Sequence, residues 1–269
     1  DWSSDVCSSD LDLGTSCRHP VQITIGDPDE LTRLRQVSNS ISLGFCYLTL
    51  RQSPRLNKAQ AQRLVSLIHR STLLETLPLD EDLIAPSNEV LPGWSIPQWP
   101  ENHSTPLPER LTLLYHLPVE LHAMADRLRQ RLAELGCELT IIFHDAKNWD
   151  GCQQFAQADL MMGDRLIGEA PVYALEQWLR CDVLWPNLLT GAQYAHLQAT
   201  LDAVQALPDE RSRSEALRNV FNSLMDDAIM TPLFNYNYRI SAPPGVNGLR
   251  LNARGWFDFA SAWLPASAP

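Results

Sequence analysis

The stretch LTLLYHLPVELHAMADRLRQRLAELGCELTIIFH, residues 111–144, decides the fold class. It begins with an apolar run at 111–116 and ends with a second apolar run at 138–144. Apolar residues recur between the two runs at spacings of three and four, as on one face of a helix: Leu121, Met124, Leu128, Leu132 and Leu135. Gly136 follows at the position where a helix commonly ends. A strand, a helix and a strand in so short a segment predict a βαβ unit with two parallel strands and a right-handed crossover.

Upstream of this unit, residues 40–50 are rich in β-branched and aromatic residues and predict a buried strand. Asn57 is a suitable N-cap for the helix expected after it. The six prolines between residues 84 and 110 argue against regular structure in that segment. Its tryptophans, Trp94 and Trp99, have two open interpretations. They either attach a wrapping loop to the core or form the wall of a ligand site.

Downstream, the pattern predicts a short strand at 159–162, two helices at 192–206 and 212–228, and a strand at 232–240. Turn signals follow at Pro243-Pro244-Gly245 and at Asn247-Gly248. No internal repeat or low-complexity tract interrupts this alternation of strands and helices.

Composition narrows the class of protein. The chain has 269 residues, of which 45% are hydrophobic and 20% charged, so extensive disorder is not expected. Its net charge of −11 disfavours nonspecific binding to phosphate backbones or anionic lipid. The longest strongly apolar stretch, residues 41–50, is about half of what a membrane-spanning helix needs, so we expect no membrane span.

The first residues, DWSSDVCSSDL at 1–11, resemble a translated sequencing adapter, and we exclude them from the fold prediction. On this interpretation the natural chain begins further upstream. The alternative is a disordered leader rich in Ser and Asp.

The remaining cysteines indicate a reducing compartment. They are odd in number, widely spaced and without a CxxC pair: Cys17, Cys46, Cys137, Cys152 and Cys181. Free thiols in the cytoplasm suit this pattern better than a disulfide framework or a zinc site. The periplasm is the alternative compartment.

The chain contains no recognisable catalytic motif. GxGxxG, GxxxxGK[ST], HExxH and GxSxG are all absent, and the seven histidines are scattered. We therefore expect a protein that is not an enzyme, with no catalytic residues, no bound metal and no cofactor.

Several segments, in order along the chain, resemble family 5 of the bacterial solute-binding proteins, the receptors for oligopeptides, dipeptides and nickel in ABC transporters. They are residues 42–70, the βαβ unit at 111–144, DLMMGD at 159–164 with GEAP at 168–171, and TPLF at 231–234. At residues 50–51 the chain has Leu-Arg where the family usually has Asn-Thr.

The C-terminal segment PGVNGLRLNARGWFDFASAWLP, residues 244–265, resembles more narrowly the end of SgrR-type transcriptional regulators. Residues 167–186, with Arg180-Cys181-Asp182, support the same group. Proteins of this type place a winged-helix DNA-binding domain before a cytoplasmic solute-binding domain. The resemblance implies a ligand-sensing domain of a regulator, bound to DNA only through an N-terminal domain missing from this chain. The alternative is the substrate-binding component of a peptide- or nickel-type ABC transporter.

The resemblance also implies the fold and its domains. We expect an α/β, type II periplasmic-binding-protein-like fold with a complete second lobe and a partial first lobe. Residues 46–229 would form lobe II, and residues 12–45 and 230–269 would be remnants of lobe I.

Between two such lobes lies a cleft, the usual place for a ligand. The candidate ligand-binding residues are Glu169, Trp178, Tyr236 and Tyr238. Glu169 stands where the family has an acidic group for a cationic ligand end, although a solvated loop carboxylate is the alternative. Tyr236 and Tyr238 share one face of the predicted strand, and core packing is the alternative for both tyrosines and for Trp178. The expected ligand is a sugar phosphate, a peptide or another small metabolite.

Overall fold

The structure is a computed structural model. It describes these parts of the chain: residues 22–24, 35–38, 44–70, 84–86, 89–91, 93–97, 105–115, 120–143, 152–168, 170–236, 239–242, 247–248 and 259–263.

The described strands belong to two sheets. In chain order they are β1 (Gln22–Thr24), β2 (Arg35–Ser38), β3 (Gly44–Leu50), β4 (Ile84–Pro86), β5 (Arg110–Tyr115), β6 (Glu138–Phe143), β7 (Leu160–Leu166), β8 (Met230–Tyr236) and β9 (Arg239–Ala242). One sheet has the order β1-β9-β2, and the other has the order β4-β8-β3-β7-β5-β6.

The described helices follow the larger sheet's strands along the chain. They are α1 (Lys58–Arg70), α2 (Glu120–Glu134), α3 (Cys152–Gln157), α4 (Pro171–Cys181), α5 (Leu184–Leu188), α6 (Gly191–Gln205) and α7 (Glu210–Asp226), with a short 3-10 helix at Phe259–Ser261.

The predicted βαβ unit is confirmed. Strands β5 and β6 pair in parallel from Arg110↔Glu138 to Tyr115↔Phe143, and α2 lies between them in the chain and packs against both. The helix buries the predicted positions Met124, Leu128 and Leu132 against the sheet. Strand β7 then adds to β5 in parallel, which makes three adjacent parallel strands.

Strand β3 runs antiparallel to both of its neighbours in the larger sheet. It pairs with β7 on one side and with β8 on the other, and all seven of its residues are buried. Alternate side chains enter two different cores. Phe45 and Tyr47 pack on one face of the sheet, whereas Cys46, Leu48 and Leu50 pack on the other. The sequence GFCYLTL therefore gives an interior strand because both of its faces are apolar.

The expected strand at 232–240 is corrected by the structure. The chain forms β8 in the larger sheet and then β9 in the smaller sheet, so the segment divides between the two. The expected strand at 159–162 is also too short, because β7 continues to Leu166 through Gly163, Asp164 and Arg165. Polar residues at its end hid this continuation from the sequence pattern.

The expectation of no regular structure between residues 84 and 110 is wrong for β4. This short strand includes Pro86 and pairs with β8 at the end of the sheet order. Proline is tolerated there because an edge strand need not donate every backbone N–H. Further along the segment, Trp94 is buried with its ring 5.7 Å from that of Phe221, which agrees with attachment of the loop to the core, the first of its two interpretations. Trp99 lies outside the described residues.

Helix starts follow their cap residues closely. The Asn57 side chain accepts a hydrogen bond from the Gln60 backbone N–H, and the Gln60 side chain accepts one from the Asn57 backbone N–H, both at 3.0 Å. Thr190 and Gln193 form the same reciprocal arrangement at the start of α6. Asp209 caps α7 by accepting the Ser212 N–H at 2.9 Å.

The two sheets are joined by the chain at one end of β3 and β8. The chain leaves the smaller sheet at Ser38 and enters the larger one at Gly44, and it leaves the larger one at Tyr236 and enters the smaller one at Arg239. Gly44 and Tyr236 are register partners, so both connections to the smaller sheet lie at the same end of strands β3 and β8.

Three described cysteines form no disulfide bond: Cys46 and Cys137 are buried and Cys181 is exposed. None of the described helices combines the length and apolar character that crossing a bilayer requires.

Candidate functional site

A cleft opens at the carboxyl ends of the parallel strands. In the described residues, β5 pairs with β7 as far as Tyr115↔Met162, and β7 continues beside β3 to Leu166. Asp164 and Arg165, near the end of β7, line the cleft. In open α/β sheets, such positions beyond the carboxyl ends of strands are the common ligand sites.

The cleft has a volume of about 170 Å³ and a mixed lining. Its apolar residues are Leu114, Phe155, Met161, Met162 and Leu184, and its polar residues are Tyr47, Tyr115, Asp164, Arg165 and Asp182. Because the lining includes members of the cores on both faces of the sheet, the cleft lies at the ends of the strands and not on one face. The cleft also lies at the same end of the strands as the connections between the larger and the smaller sheet.

Tyr47 connects the cleft to the core beneath it. Its side chain is buried, and its ring lies 4.6 Å from that of Trp178 and 6.1 Å from that of Phe45. Burial raises the pKa of Tyr47 well above its usual 10.0, and the carboxylates of Asp182 and Asp164 raise it further. The hydroxyl therefore stays neutral at physiological pH and remains able to donate a hydrogen bond.

Asp182 has a structural role as well as a place in the cleft wall. Its Oδ1 accepts the backbone N–H of Leu184 at 2.9 Å and so fixes the turn between α4 and α5. The same turn brings Leu184 to the cleft wall. The second carboxylate oxygen of Asp182 retains its acceptor capacity.

Tyr115 closes the β5 side of the cleft. Its hydroxyl hydrogen-bonds Nδ1 of His122, whose Nε2 lies 3.7 Å from a carboxylate oxygen of Asp126. Burial, and secondarily the charge of Asp126, raise the pKa of Tyr115. This chain of contacts ties the end of β5 to the first turns of α2.

The structure places the four predicted site residues as follows. Trp178 is 1% exposed. Its ring packs against that of Tyr47, and it does not line the cleft. Tyr236 ends β8, and its backbone pairs with Gly44 at the edge that carries the cleft, while its side chain is outside the described part of the structure. Glu169 and Tyr238 lie outside the described residues. Their assignment as ligand residues stays a prediction.

The candidate ligand-binding residues from the sequence did not include the polar residues that line the cleft. Asp164 and Arg165 reach the site because they pair with Cys46 and Phe45 across β3 and β7, which are distant in sequence. One local signal was present, since Gly163-Asp164-Arg165 follows an apolar strand directly and polar residues at strand ends often form sites. Within the described residues, no cluster of His, Cys, Asp and Glu is arranged to hold a metal ion.

Solved structures share this architecture. The chain superposes on NikA from Staphylococcus aureus in complex with Ni(L-His)2 with a TM-score of 0.66 and 13% identity, covering 88% of this chain and 54% of NikA. It superposes on the oligopeptide-binding protein AppA from Bacillus subtilis, in complex with a nonapeptide, with a TM-score of 0.62 and 13% identity, covering 87% and 53%. The chain has the type II periplasmic-binding-protein fold.

A third example of the type II fold is the ABC transporter substrate-binding protein CtaP from Listeria monocytogenes, with a TM-score of 0.62 and 16% identity over 86% of this chain and 52% of CtaP. AppA and CtaP are binding proteins by name. The expected fold class is thereby confirmed.

Among curated proteins, the chain is 66% identical over 255 residues to Escherichia coli K12 YbaE, which is described as an uncharacterized protein. It is 27% identical over 176 residues to the HTH-type transcriptional regulator SgrR of Yersinia pestis (strain Pestoides F). No family model matches the chain. The alignments cover 95% and 63% of this chain but 45% of YbaE and 30% of SgrR, so the chain spans less than half the length of these relatives.

Proposed function

We propose that this chain is the ligand-sensing, solute-binding domain of a bacterial cytoplasmic transcriptional regulator similar to SgrR. The observation that carries the proposal is the sequence similarity to SgrR over 63% of the chain, in a chain with the type II fold. The resemblance of the C-terminal segment 244–265 to regulators of this type supports it.

The cleft supports a binding role. It combines apolar walls with a few convergent polar groups, which is the composition of small-molecule sites. The cleft also lies at the end of β3 and β8 where the chain connects the two sheets. A ligand that contacts both sides stabilises the closed arrangement, and only this difference in affinity between open and closed forms transmits a signal. The domain binds its ligand without converting it.

The DNA partner belongs to a part of the regulator other than this domain. A net charge of −11 is unfavourable for contact of this domain with phosphate backbones. The resemblance to SgrR-type regulators implies that DNA is bound through an N-terminal winged-helix domain. Cys46 and Cys137 form no disulfide bond, which suits the reducing cytoplasm in which such a regulator works.

A second candidate is the substrate-binding component of a peptide- or nickel-type ABC transporter in the periplasm. The similarity to NikA, AppA and CtaP in fold favours it. In that role, closure of the cleft presents the loaded protein to a permease.

Two measurements on the full-length protein separate these functions. Cell fractionation locates the protein, and selection of bound fragments from sheared genomic DNA measures sequence-specific binding. We expect a cytoplasmic protein that enriches a small number of promoter fragments. A periplasmic protein that enriches none would refute the regulator and favour the transporter component.

A further inference from the structure

Four arginines in the described part of the chain have a buried Nε without a hydrogen-bond partner: Arg51, Arg63, Arg165 and Arg180. In three of them the terminal nitrogens are bonded within the fold. Arg51 and Arg63 donate to main-chain carbonyl oxygens, and Arg180 donates to two carboxylates. These three guanidinium groups are structural.

Arg165 differs from the other three. No hydrogen bond or ion pair joins its guanidinium to another described residue, although the side chain is partly buried and lines the cleft. Burying a charged group without a partner costs free energy, so such groups are normally paired. An unpaired guanidinium facing a cleft is suited to a partner that arrives from solvent.

The groups around Arg165 define the chemistry of that partner. Tyr47, whose neutral hydroxyl is able to donate a hydrogen bond, lines the same cleft as Arg165, and donors of this kind bind the oxygens of an anion. The carboxylates of Asp164 and Asp182 lie in the same cleft and repel negative charge. Their repulsion grows with the charge of the ligand, so a singly charged group is accepted more easily than a doubly charged one.

The remaining lining is apolar. Leu114, Phe155 and Leu184, together with two methionines, form walls that bury the body of a ligand next to its charged end. Methionine side chains adapt to ligand shape and favour contact with aromatic rings.

We propose that the cleft binds a small carboxylate with an apolar body, and that Arg165 holds the carboxylate. The inference deepens the proposed function, since it concerns the ligand of the same solute-binding site. It names an anchor residue that differs from the four ligand residues suggested by sequence.

Benzoate is a suitable probe because it consists of one carboxylate on a small apolar ring. Benzamide has the same shape without the charge, and phenyl phosphate carries a doubly charged group. The affinity of the full-length protein for each is measured by isothermal titration calorimetry at constant ionic strength. We expect benzoate to bind at least about tenfold more tightly than either analogue, because it alone pairs with one guanidinium without strong repulsion by the acids.

Variants assign the effect to Arg165. Arg165→Gln should weaken benzoate about tenfold or more and leave benzamide unchanged, and Arg165→Lys should restore part of the loss. Arg211→Gln is the matched control, because it removes the same charge at an exposed ion pair with Glu215 on α7 and should leave benzoate affinity unchanged. Circular dichroism confirms that the variants remain folded.

Three results would overturn the proposal: benzoate binding no better than benzamide, benzoate affinity unaffected by Arg165→Gln, or phenyl phosphate binding most tightly. The outcome is separable from that of the proposed function. A carboxylate site dependent on Arg165 in a protein that selects no DNA refutes the regulator and leaves this inference standing.

Discussion

Trp178 is enclosed by four aromatic rings. Phe45, Tyr47, Trp185 and Phe221 lie between 4.6 and 6.2 Å from it by ring centroid. Its replacement by alanine leaves a large cavity, so Trp178→Ala should lower the free energy of unfolding by about 3–5 kcal/mol. Urea denaturation measures the loss. Trp263→Ala is the matched control, since the Trp263 side chain is 57% exposed and its removal should cost far less. An equal loss in both variants would contradict the core role of Trp178.

Tyr47 makes stability sensitive to alkaline pH. Folding raises its pKa above the ordinary 10.0, so the folded state favours the neutral hydroxyl. The resulting contribution to stability is complete below about pH 10 and is lost as the pH rises through the raised pKa of the folded state. Tyr47→Phe has no group to ionise and should move the midpoint of alkaline unfolding to higher pH. Tyr173→Phe, at an exposed tyrosine, should leave the midpoint unchanged, and a wild-type midpoint in Tyr47→Phe would refute the prediction.

At the residue scale, the sequence predicted burial at individual positions but did not point to the polar residues that line the cleft. Leu128 was predicted on the buried face of its helix from apolar spacing, and attachment to the core was one of the two interpretations of Trp94. Asp164, Arg165 and Asp182 have ordinary local surroundings and become cleft residues only when β3, β7 and the turn after α4 meet. The pattern of residues along the sequence does not show which distant segments pack together.

At the scale of elements, the cap of α6 contributes measurable stability. Thr190 accepts the Gln193 N–H and its own backbone N–H donates to the Gln193 side chain. Thr190→Ala removes the side-chain acceptor and should lower the free energy of unfolding by about 1 kcal/mol. Thr200→Ala makes the same change in the interior of α6, where alanine is the better helix former, and should be neutral or slightly stabilising. A loss in Thr200→Ala as large as that in Thr190→Ala would show that the effect is not one of capping.

Elements built from neighbouring residues were predictable, and their partners were not. The helix after Asn57 and the pair β5–β6 follow from caps and spacing that lie within a few turns of chain. The order of strands in the sheet depends on pairings between distant segments, such as β3 with β8. For the same reason the passage from β8 to β9 appeared in the sequence as one strand.

At the scale of the whole molecule, the predicted bounds of the second lobe can be tested with fragments. The prediction from sequence is residues 46–229, while β3 starts at Gly44 and β8, which belongs to the same sheet as the βαβ unit, runs from Met230 to Tyr236. A fragment of residues 44–236 retains both neighbours of β3, whereas residues 46–229 lack β8 entirely. We expect the longer fragment to unfold cooperatively in denaturant and the shorter one to lack a cooperative transition. Cooperative unfolding of both fragments would show that β8 is dispensable.

The position of β3 between β7 and β8 also has a consequence for synthesis on the ribosome. The apolar segment GFCYLTL, residues 44–50, is synthesised before both of its partner strands, which are encoded at residues 160–166 and 230–236. At ordinary translation speeds it waits for many seconds without a partner on either side. An exposed strand of this composition is prone to intermolecular association, so slow elongation after residue 50 should increase the demand of the nascent chain for a holdase chaperone.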